Sequence, residues 1–270
     1  MNPIIPGLLA ILLYLLACGL LVARLSQGSA GSAARPSGIL LFGIAALLAH
    51  SALLYPSIMA PDGLNLGFFN AASLVALITV AVLLLAAFQE PVENLGIPVF
   101  PLAAISIGLV LLYPTNYLIT SAATSWQLDV HILLSLLAYS ILGLAALQAL
   151  VLAVQEYHLH NRQPGGIIRA LPPLQTMESL MFQMIGTGFA LLTLALVTGI
   201  LFLEDIFAQH LVHKTVLSIT AWGVFALLLW GRWRFGWRGR VAIRWTVGGF
   251  IFLMLAYFGS KLVLELILNR

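Results

Sequence analysis

Apolar residues dominate eight long runs of this chain, and short polar stretches separate the runs. The runs cover residues 4–23, 37–55, 65–88, 97–114, 129–155, 178–203, 213–231 and 242–268. A helix needs about 20 apolar residues to cross the roughly 30 Å hydrocarbon core of a bilayer. The run from Leu77 to Leu85 lacks the alternation of polar and apolar residues that a membrane β-strand shows. The pattern therefore predicts an all-α bundle of eight transmembrane helices.

The composition leads to the same class of protein. Of the 270 residues, 61% are hydrophobic and 8% are charged, whereas a soluble domain carries about 25% charged residues. Such a chain has too little polar surface to cover a globule in water, so the lipid bilayer is its main surrounding. We expect a single membrane domain over residues 1–270, with no room for a soluble domain of useful size.

The basic residues predict the orientation in the membrane. Nine of the twelve lie in three connections, which hold Arg24, Arg35, Arg162, Arg169, Arg232, Arg234, Arg238, Arg240 and Arg244. All three connections fall on the same side of an eight-helix zigzag. Arg-rich and Lys-rich connections face the cytoplasm, so both termini are predicted on the outer, periplasmic side of a bacterial inner membrane.

The connection over residues 231–240 interleaves arginine with tryptophan and phenylalanine. In a soluble protein this pattern would suggest nucleic acid. Because the segment directly joins two membrane helices, we interpret it as a headgroup anchor, and we expect no nucleic-acid partner.

Four of the six histidines fall at the predicted outer ends of helices. His131 begins the fifth helix, His213 begins the seventh with His210 one turn before it, and His50 lies about five residues inside the second. An ionisable group at such a depth is a functional candidate. Neutral imidazoles ligate haem iron axially, and three of them suffice for zinc. The four histidines therefore predict either a haem site or, from His50, His131 and His213, a zinc site.

Polar residues accompany these histidines. Asp129 either caps the fifth helix or accepts a hydrogen bond from His131. Lys261 stands four residues before Glu265. The two residues could simply form an ion pair between snorkelling side chains, which is the alternative to a functional role for Lys261. The residues that continue the histidine-bearing faces, or offer a cation to haem carboxylates, are Ser135, Tyr139, Lys214, Trp222 and Lys261.

The second half of the chain resembles the cytochrome c assembly protein family, the CcsA-type membrane proteins and their HemX-like relatives. The segments that carry the resemblance are 126–140, with its HxxxSxxxY pattern, 171–180, 213–218 with Trp222, the GWRG turn at 236–239, and 257–261. The resemblance covers residues 126–268, whereas residues 1–115 match in character only. It implies a protein that handles haem at the outer face together with other cytochrome c maturation proteins, with His131 as one external ligand.

Three departures from the family pattern change this expectation. Residues 203–212 replace the family's tryptophan-rich segment and contain no tryptophan, Trp230 replaces a membrane histidine, and residues 264–268 lack a second external histidine. These losses argue against a complete cytochrome c synthase, and hence against an enzyme. We expect a haem-binding protein in which His213 or His210 supplies the second ligand. The alternatives are a haem-free scaffold or regulator of the same family and a small-solute transporter.

Overall fold

The structure is a computed structural model, and it describes residues 3–27, 36–60, 63–114, 118–120, 126–161, 165–202, 212–259 and 261–262. Within these ranges eight helices are long and apolar enough to cross a membrane, counting the short turns that extend α4 and α8. They are α1 (Ile4–Gln27), α2 (Pro36–Ile58), α3 (Phe68–Ala86), α4 (Gly96–Leu112), α5 (Trp126–His160), α6 (Leu174–Phe202), α7 (Val212–Phe235) and α8 (Arg240–Met254). The predicted all-α bundle of eight membrane helices is confirmed.

Several helices extend beyond the predicted apolar runs. Helix α5 has 35 residues, and its last turns carry the polar segment 155–160. Helix α7 continues to Phe235 through two arginines. The hydrocarbon core of the bilayer determines which part of a helix must be apolar. Helical hydrogen bonding of the backbone can continue beyond the core, into the headgroup region. Polar residues therefore extend the helices where the sequence pattern stops predicting them.

A small antiparallel sheet of three strands follows α2, where the sequence pattern predicted no strand. Strands β1 (Met59–Ala60), β2 (Gly63–Asn65) and β3 (Leu118–Thr120) lie in that order. Met59 pairs with Leu64, and Leu64 also pairs with Ile119. Strands of two or three residues are too short to leave a pattern in the sequence. This sheet satisfies backbone groups just outside the ends of α2 and α4.

The chain divides into two compact units. Unit 1 comprises residues 1–123 and 155–173, with α1 packed against α2 and α4, and α3 against α4. Its buried core includes Tyr14, Leu53 and Ile107. At one end, Arg24 from α1 forms a 2.6 Å ion pair with Glu93, just before α4. This pair ties two helix ends together outside the apolar core.

Unit 2 comprises residues 124–154 and 174–270. Helices α5 and α6 run antiparallel, because Gln148 of α5 donates to the Met177 carbonyl near the start of α6, 3.1 Å away. Their backbones approach closely where Gly188 lies against Leu142. Helix α7 meets α8 where Phe225 packs on Gly249. Small residues therefore set the spacing of this bundle, as is common in membranes.

Candidate functional site

His131 lies in the second turn of α5 and faces α6. Its Nδ1 atom is 2.9 Å from the carbonyl oxygen of Ala195 and 3.2 Å from the hydroxyl of Thr198. A carbonyl oxygen only accepts hydrogen bonds. Nδ1 therefore carries the hydrogen and donates it to α6, which fixes both the tautomer and the direction of the ring.

The other ring nitrogen of His131 is left with its lone pair. No residue that the structure describes forms a hydrogen bond with Nε2, and the side chain is half-buried. Histidines that bind metals commonly donate the opposite N–H to a backbone carbonyl, which orients the ring and raises the basicity of the ligating nitrogen. His131 therefore has the hydrogen bond at Nδ1 that a metal-binding histidine commonly has, with Nε2 as the atom that would bind the metal.

Apolar side chains surround this end of unit 2. The rings of Trp126 and Phe202 lie 6.2 Å apart, and Leu133 and Ile200 are more than half exposed. Bare apolar surface of this kind accepts either lipid chains or the face of an apolar planar ligand.

His213 occupies the first turn of α7 and is exposed. Trp222 anchors this helix on α6, since its Nε1 donates to the Thr193 hydroxyl at 2.9 Å and its ring stacks on Phe189 at 5.6 Å. His213 precedes Trp222 by roughly nine residues, or about 13 Å along the helix axis. The antiparallel register places it near the last turn of α6, beyond the positions of Ala195 and Thr198 that contact His131.

The other predicted residues of unit 2 have distinct surroundings. Asp129 is exposed, and the acceptor for His131 is the Ala195 carbonyl rather than the Asp129 carboxylate. Tyr139 is buried among the rings of Phe250, Tyr257 and Phe258, with centroids 5.2–6.3 Å away. Ser135 and Lys214 are half-buried. The face of α5 that begins at His131 therefore leads inward to an aromatic cluster shared with the end of α8.

Lys261 lies next to this aromatic cluster. It is buried, with its Nζ 5.8 Å from the centroid of Tyr257. A π-helical turn over Leu255–Gly259 precedes it. Such turns insert one residue into a helix and rotate the residues beyond it about the helix axis. The turn thus changes the face on which the cation of Lys261 lies, which sequence periodicity does not reveal. Glu265 lies outside the described residues.

His50 lies in unit 1 and has different partners. Its Nε2 is 2.8 Å from the Ser73 hydroxyl, and its Nδ1 is 3.3 Å from the Tyr14 hydroxyl. The Ser106 hydroxyl lies 3.4 Å from that of Ser73 and donates to the Ala103 carbonyl. The side chain of His50 is fully buried and lies about 12 Å of helix from the end of α2, deeper than the sequence suggested.

Sequence reasoning missed Tyr14 and Ser73 as partners of His50, and Ser106 as a partner of Ser73. Each is a polar residue within an apolar run, on α1, α3 and α4 respectively. That signal was present in the sequence, but hydroxyl residues in membrane helices often bond to their own backbone. Only the packing shows that two of these hydroxyls contact the imidazole of His50 and that the third contacts Ser73.

The remaining predictions concern a metal cluster and His210. Among the described residues, no three histidine, cysteine, aspartate or glutamate side chains come together to hold a metal ion. The structure therefore does not assemble the zinc site considered from the sequence. His210 and the segment 203–211 lie outside the described residues.

Comparison with known proteins identifies relatives across most of the chain. A family model described as Cytochrome C assembly protein matches residues 39–268, so the match includes α2, α3 and α4 as well as the second half. "Inner membrane protein YpjD" of Escherichia coli strain K12 is 38% identical over 264 residues, which are 97% of this chain and 98% of that protein.

More distant relatives match shorter stretches. "Protein HemX" of Brevibacillus brevis is 25% identical over 57% of this chain and 60% of its own length. "Cytochrome c biogenesis protein CcsA" of Gloeothece citriformis is 26% identical over 37% of this chain and 31% of its own length. No solved structure matches this chain significantly.

Proposed function

This chain belongs to the cytochrome c assembly protein family, and from that premise we propose that it binds haem through Nε2 of His131. It is a multi-pass protein of the inner membrane, as its eight spans and its similarity to an inner membrane protein show. Its proposed role is to carry or present haem, or to regulate its use, during cytochrome c assembly or haem metabolism.

The hydrogen bond from His131 to Ala195 is the observation that carries this proposal. It fixes a hydrogen on Nδ1 and turns Nε2 away from the Ala195 carbonyl of α6. A neutral imidazole with a fixed tautomer is an axial haem ligand that needs no rearrangement before binding. The exposed rings of Trp126 and Phe202, which contact each other at this end of α5 and α6, suit contact with a porphyrin face.

His213 is the proposed second ligand. It lies near the same end of α6 as His131, it is exposed, and it has no hydrogen bond to a described residue. His210 is the alternative. Two imidazoles would hold haem for transfer or storage, and haem would supply the iron and the vinyl groups that cytochrome c attachment uses. The missing tryptophan-rich segment argues for a carrier or regulator rather than a complete synthase.

The names of two relatives support a haem-related role. One is a cytochrome c biogenesis protein and another is called HemX. We propose that cytochrome c maturation proteins are the partners of this chain. The proposed site lies at the outer face, because the arginine-rich connections indicate that the opposite ends of these helices are cytoplasmic.

The experiment is an absorption spectrum of the full chain, purified in mild detergent and titrated with haem. His131→Ala and His213→Ala are compared with His160→Ala, which removes an exposed histidine at the last residue of α5. We expect a Soret band of bis-histidine type in the wild type and in His160→Ala. We expect it to be lost in His131→Ala and shifted or lost in His213→Ala.

Two results would count against the proposal. A wild type with no saturable haem binding would leave the haem-free scaffold or regulator as the function of this family member. A wild-type spectrum that His131→Ala leaves unchanged would retain haem but remove His131 as its ligand. Size-exclusion profiles of all variants show whether each is folded.

A further inference from the structure

The corner between α7 and α8 is unusually rich in arginine and tryptophan. We define the arginine corner as residues 230–245. It contains Trp230, Arg232, Trp233, Arg234, Phe235, Trp237, Arg238, Arg240, Arg244 and Trp245. The haem site proposed above does not use it. We propose that the arginine corner is a preformed binding site for the headgroup of an anionic phospholipid.

Glu178 at the start of α6 organises this corner. Its Oε1 accepts a 2.6 Å hydrogen bond from Arg232, and its Oε2 accepts one from the backbone N–H of Gly239 at 3.3 Å. Arg232 also donates to the Trp237 carbonyl at 3.1 Å and lies over the ring of Phe182 at 4.5 Å. One carboxylate thus holds both sides of the turn, and its charge is neutralised within the site.

Glycines determine the path of the turn. Gly236 and Gly239 have φ angles of +67° and +57°, which L-residues with a side chain rarely adopt. The Trp237 ring lies directly on Gly231 and leaves no space there for a Cβ. Trp237 also packs near Trp245, with centroids 5.6 Å apart. The turn is therefore a packed structure rather than a loose loop.

This packing leaves one set of cations facing outward. Arg234, Arg238 and Arg244 are exposed, and no described residue forms a hydrogen bond with their side chains. Trp233 is 83% exposed. Guanidinium groups form paired hydrogen bonds with phosphate, and tryptophan prefers the depth of lipid headgroups. Arginine and tryptophan together therefore match a phosphate with attached acyl chains.

The charge balance favours an anionic lipid over a zwitterionic one. Residues 212–262 contain no aspartate or glutamate, and the carboxylate of Glu178 is taken up by Arg232. A zwitterionic headgroup would bring its ammonium close to these arginines without an acidic partner. An anionic headgroup such as phosphatidylglycerol brings only the phosphate charge.

The test measures lipid selectivity of the full chain by native mass spectrometry. The protein is released from mixed micelles that hold equal amounts of phosphatidylglycerol and phosphatidylcholine. We expect the wild type to retain phosphatidylglycerol with an enrichment on the order of tenfold or more, since each arginine near an anionic headgroup contributes appreciably. The triple variant Arg234→Gln, Arg238→Gln, Arg244→Gln should bind both lipids about equally. The matching triple Arg→Lys variant should retain part of the preference.

The variant Glu178→Gln distinguishes an organised binding site for the lipid headgroup from non-specific attraction of anionic lipid to positive charge. This variant makes the corner more positive but removes the group that organises it. A lower enrichment supports the proposal. An enrichment that rises with the added charge, or a triple Gln variant that keeps the wild-type preference, would overturn it. Millimolar glycerol phosphate is added in a parallel arm, and we expect no displacement of the lipid. Displacement would show a site for free phosphate instead.

Discussion

His50 in unit 1 and His131 in unit 2 are both imidazoles within membrane-spanning helices, but their ring nitrogens have different surroundings. Both nitrogens of His50 are bonded to hydroxyl groups, at 2.8 and 3.3 Å, and the side chain is fully buried. In His131, one nitrogen donates to a backbone carbonyl, the other has no described partner, and the side chain is half-buried.

The difference separates a histidine that holds helices together from one that can bind a ligand. Hydroxyls both donate and accept, so Tyr14 and Ser73 satisfy His50 in either tautomer. This links α1, α2 and α3 through one imidazole, with Ser106 adding α4. The Ala195 carbonyl accepts only, so it satisfies one nitrogen of His131 and leaves the other available. Their predicted positions toward the outer ends of helices, which marked both residues as candidates, do not distinguish these two roles.

The largest effect that tests this comparison is expected from His50→Ala. The change removes two hydrogen bonds and leaves the buried Tyr14 hydroxyl without its described partner, which costs about 1–3 kcal/mol. We expect a clear loss of thermal stability, measured by the loss of monodisperse protein on heating in detergent, and haem affinity close to that of the wild type. Ser51→Ala is the matched control, because the Ser51 hydroxyl bonds to its own helix at the Leu47 carbonyl. If His50→Ala abolished the Soret band while the protein remained folded, the division of roles would be wrong.

A smaller effect is expected from Lys261→Met, which removes the buried cation near the aromatic cluster that adjoins the face of His131. If haem carboxylates approach this cation, haem affinity should fall about tenfold, equivalent to about 1.4 kcal/mol. The affinity for haem dimethyl ester, which lacks the carboxylate charges, should not change. Spectral titrations of both ligands with the wild type, Lys261→Met and Lys261→Arg give the comparison. An equal loss for the two ligands would point to damaged packing around Tyr257 instead.

The smallest effect is expected from Thr198→Val. This change removes the hydroxyl that contacts His131 Nδ1 and keeps the contact with the Ala195 carbonyl. We expect haem affinity to fall about twofold to threefold, since hydrogen bonds between membrane helices contribute roughly 0.6 kcal/mol on average. Thr220→Val is the control, because the partner of its hydroxyl among the described residues is the Val216 carbonyl of its own helix. A haem affinity unchanged within error, or lowered equally by Thr220→Val, would show that Thr198 does not help to orient the ring.

Much of the fold was predictable because the bilayer imposes a simple condition. Any segment in the hydrocarbon must be apolar and must satisfy its own backbone, so eight apolar runs predict eight helices. The predicted ends were less accurate, as in α5, because helices continue into the headgroup region where composition is mixed. The three-stranded sheet at residues 59–65 and 118–120 was not predictable, since its register depends on two connections that meet only in the folded chain.

The candidate site was predictable in its residue types but not in its geometry. The HxxxSxxxY pattern identified His131 and Tyr139 as neighbours on one helix face, and helical periodicity suffices for that. The acceptor for His131 belongs to the backbone of α6, and a backbone carbonyl leaves no trace in the sequence. The π turn before Lys261 likewise changes the face on which the lysine lies, without a distinctive residue to indicate it.

The sequence alone determined that the protein lies in a lipid bilayer, how many helices are predicted to cross it, and which family the chain belongs to. These properties depend on composition, on runs of apolar residues and on local motifs. Tertiary structure decided which histidine is satisfied and which is open. That outcome depends on the groups that neighbouring helices present at a given depth: the hydroxyls of Tyr14 and Ser73 on the two nitrogens of His50, and the Ala195 carbonyl and Thr198 hydroxyl on one nitrogen of His131. Hydrogen bonds between helices act over about 3 Å, so only the packed bundle specifies them.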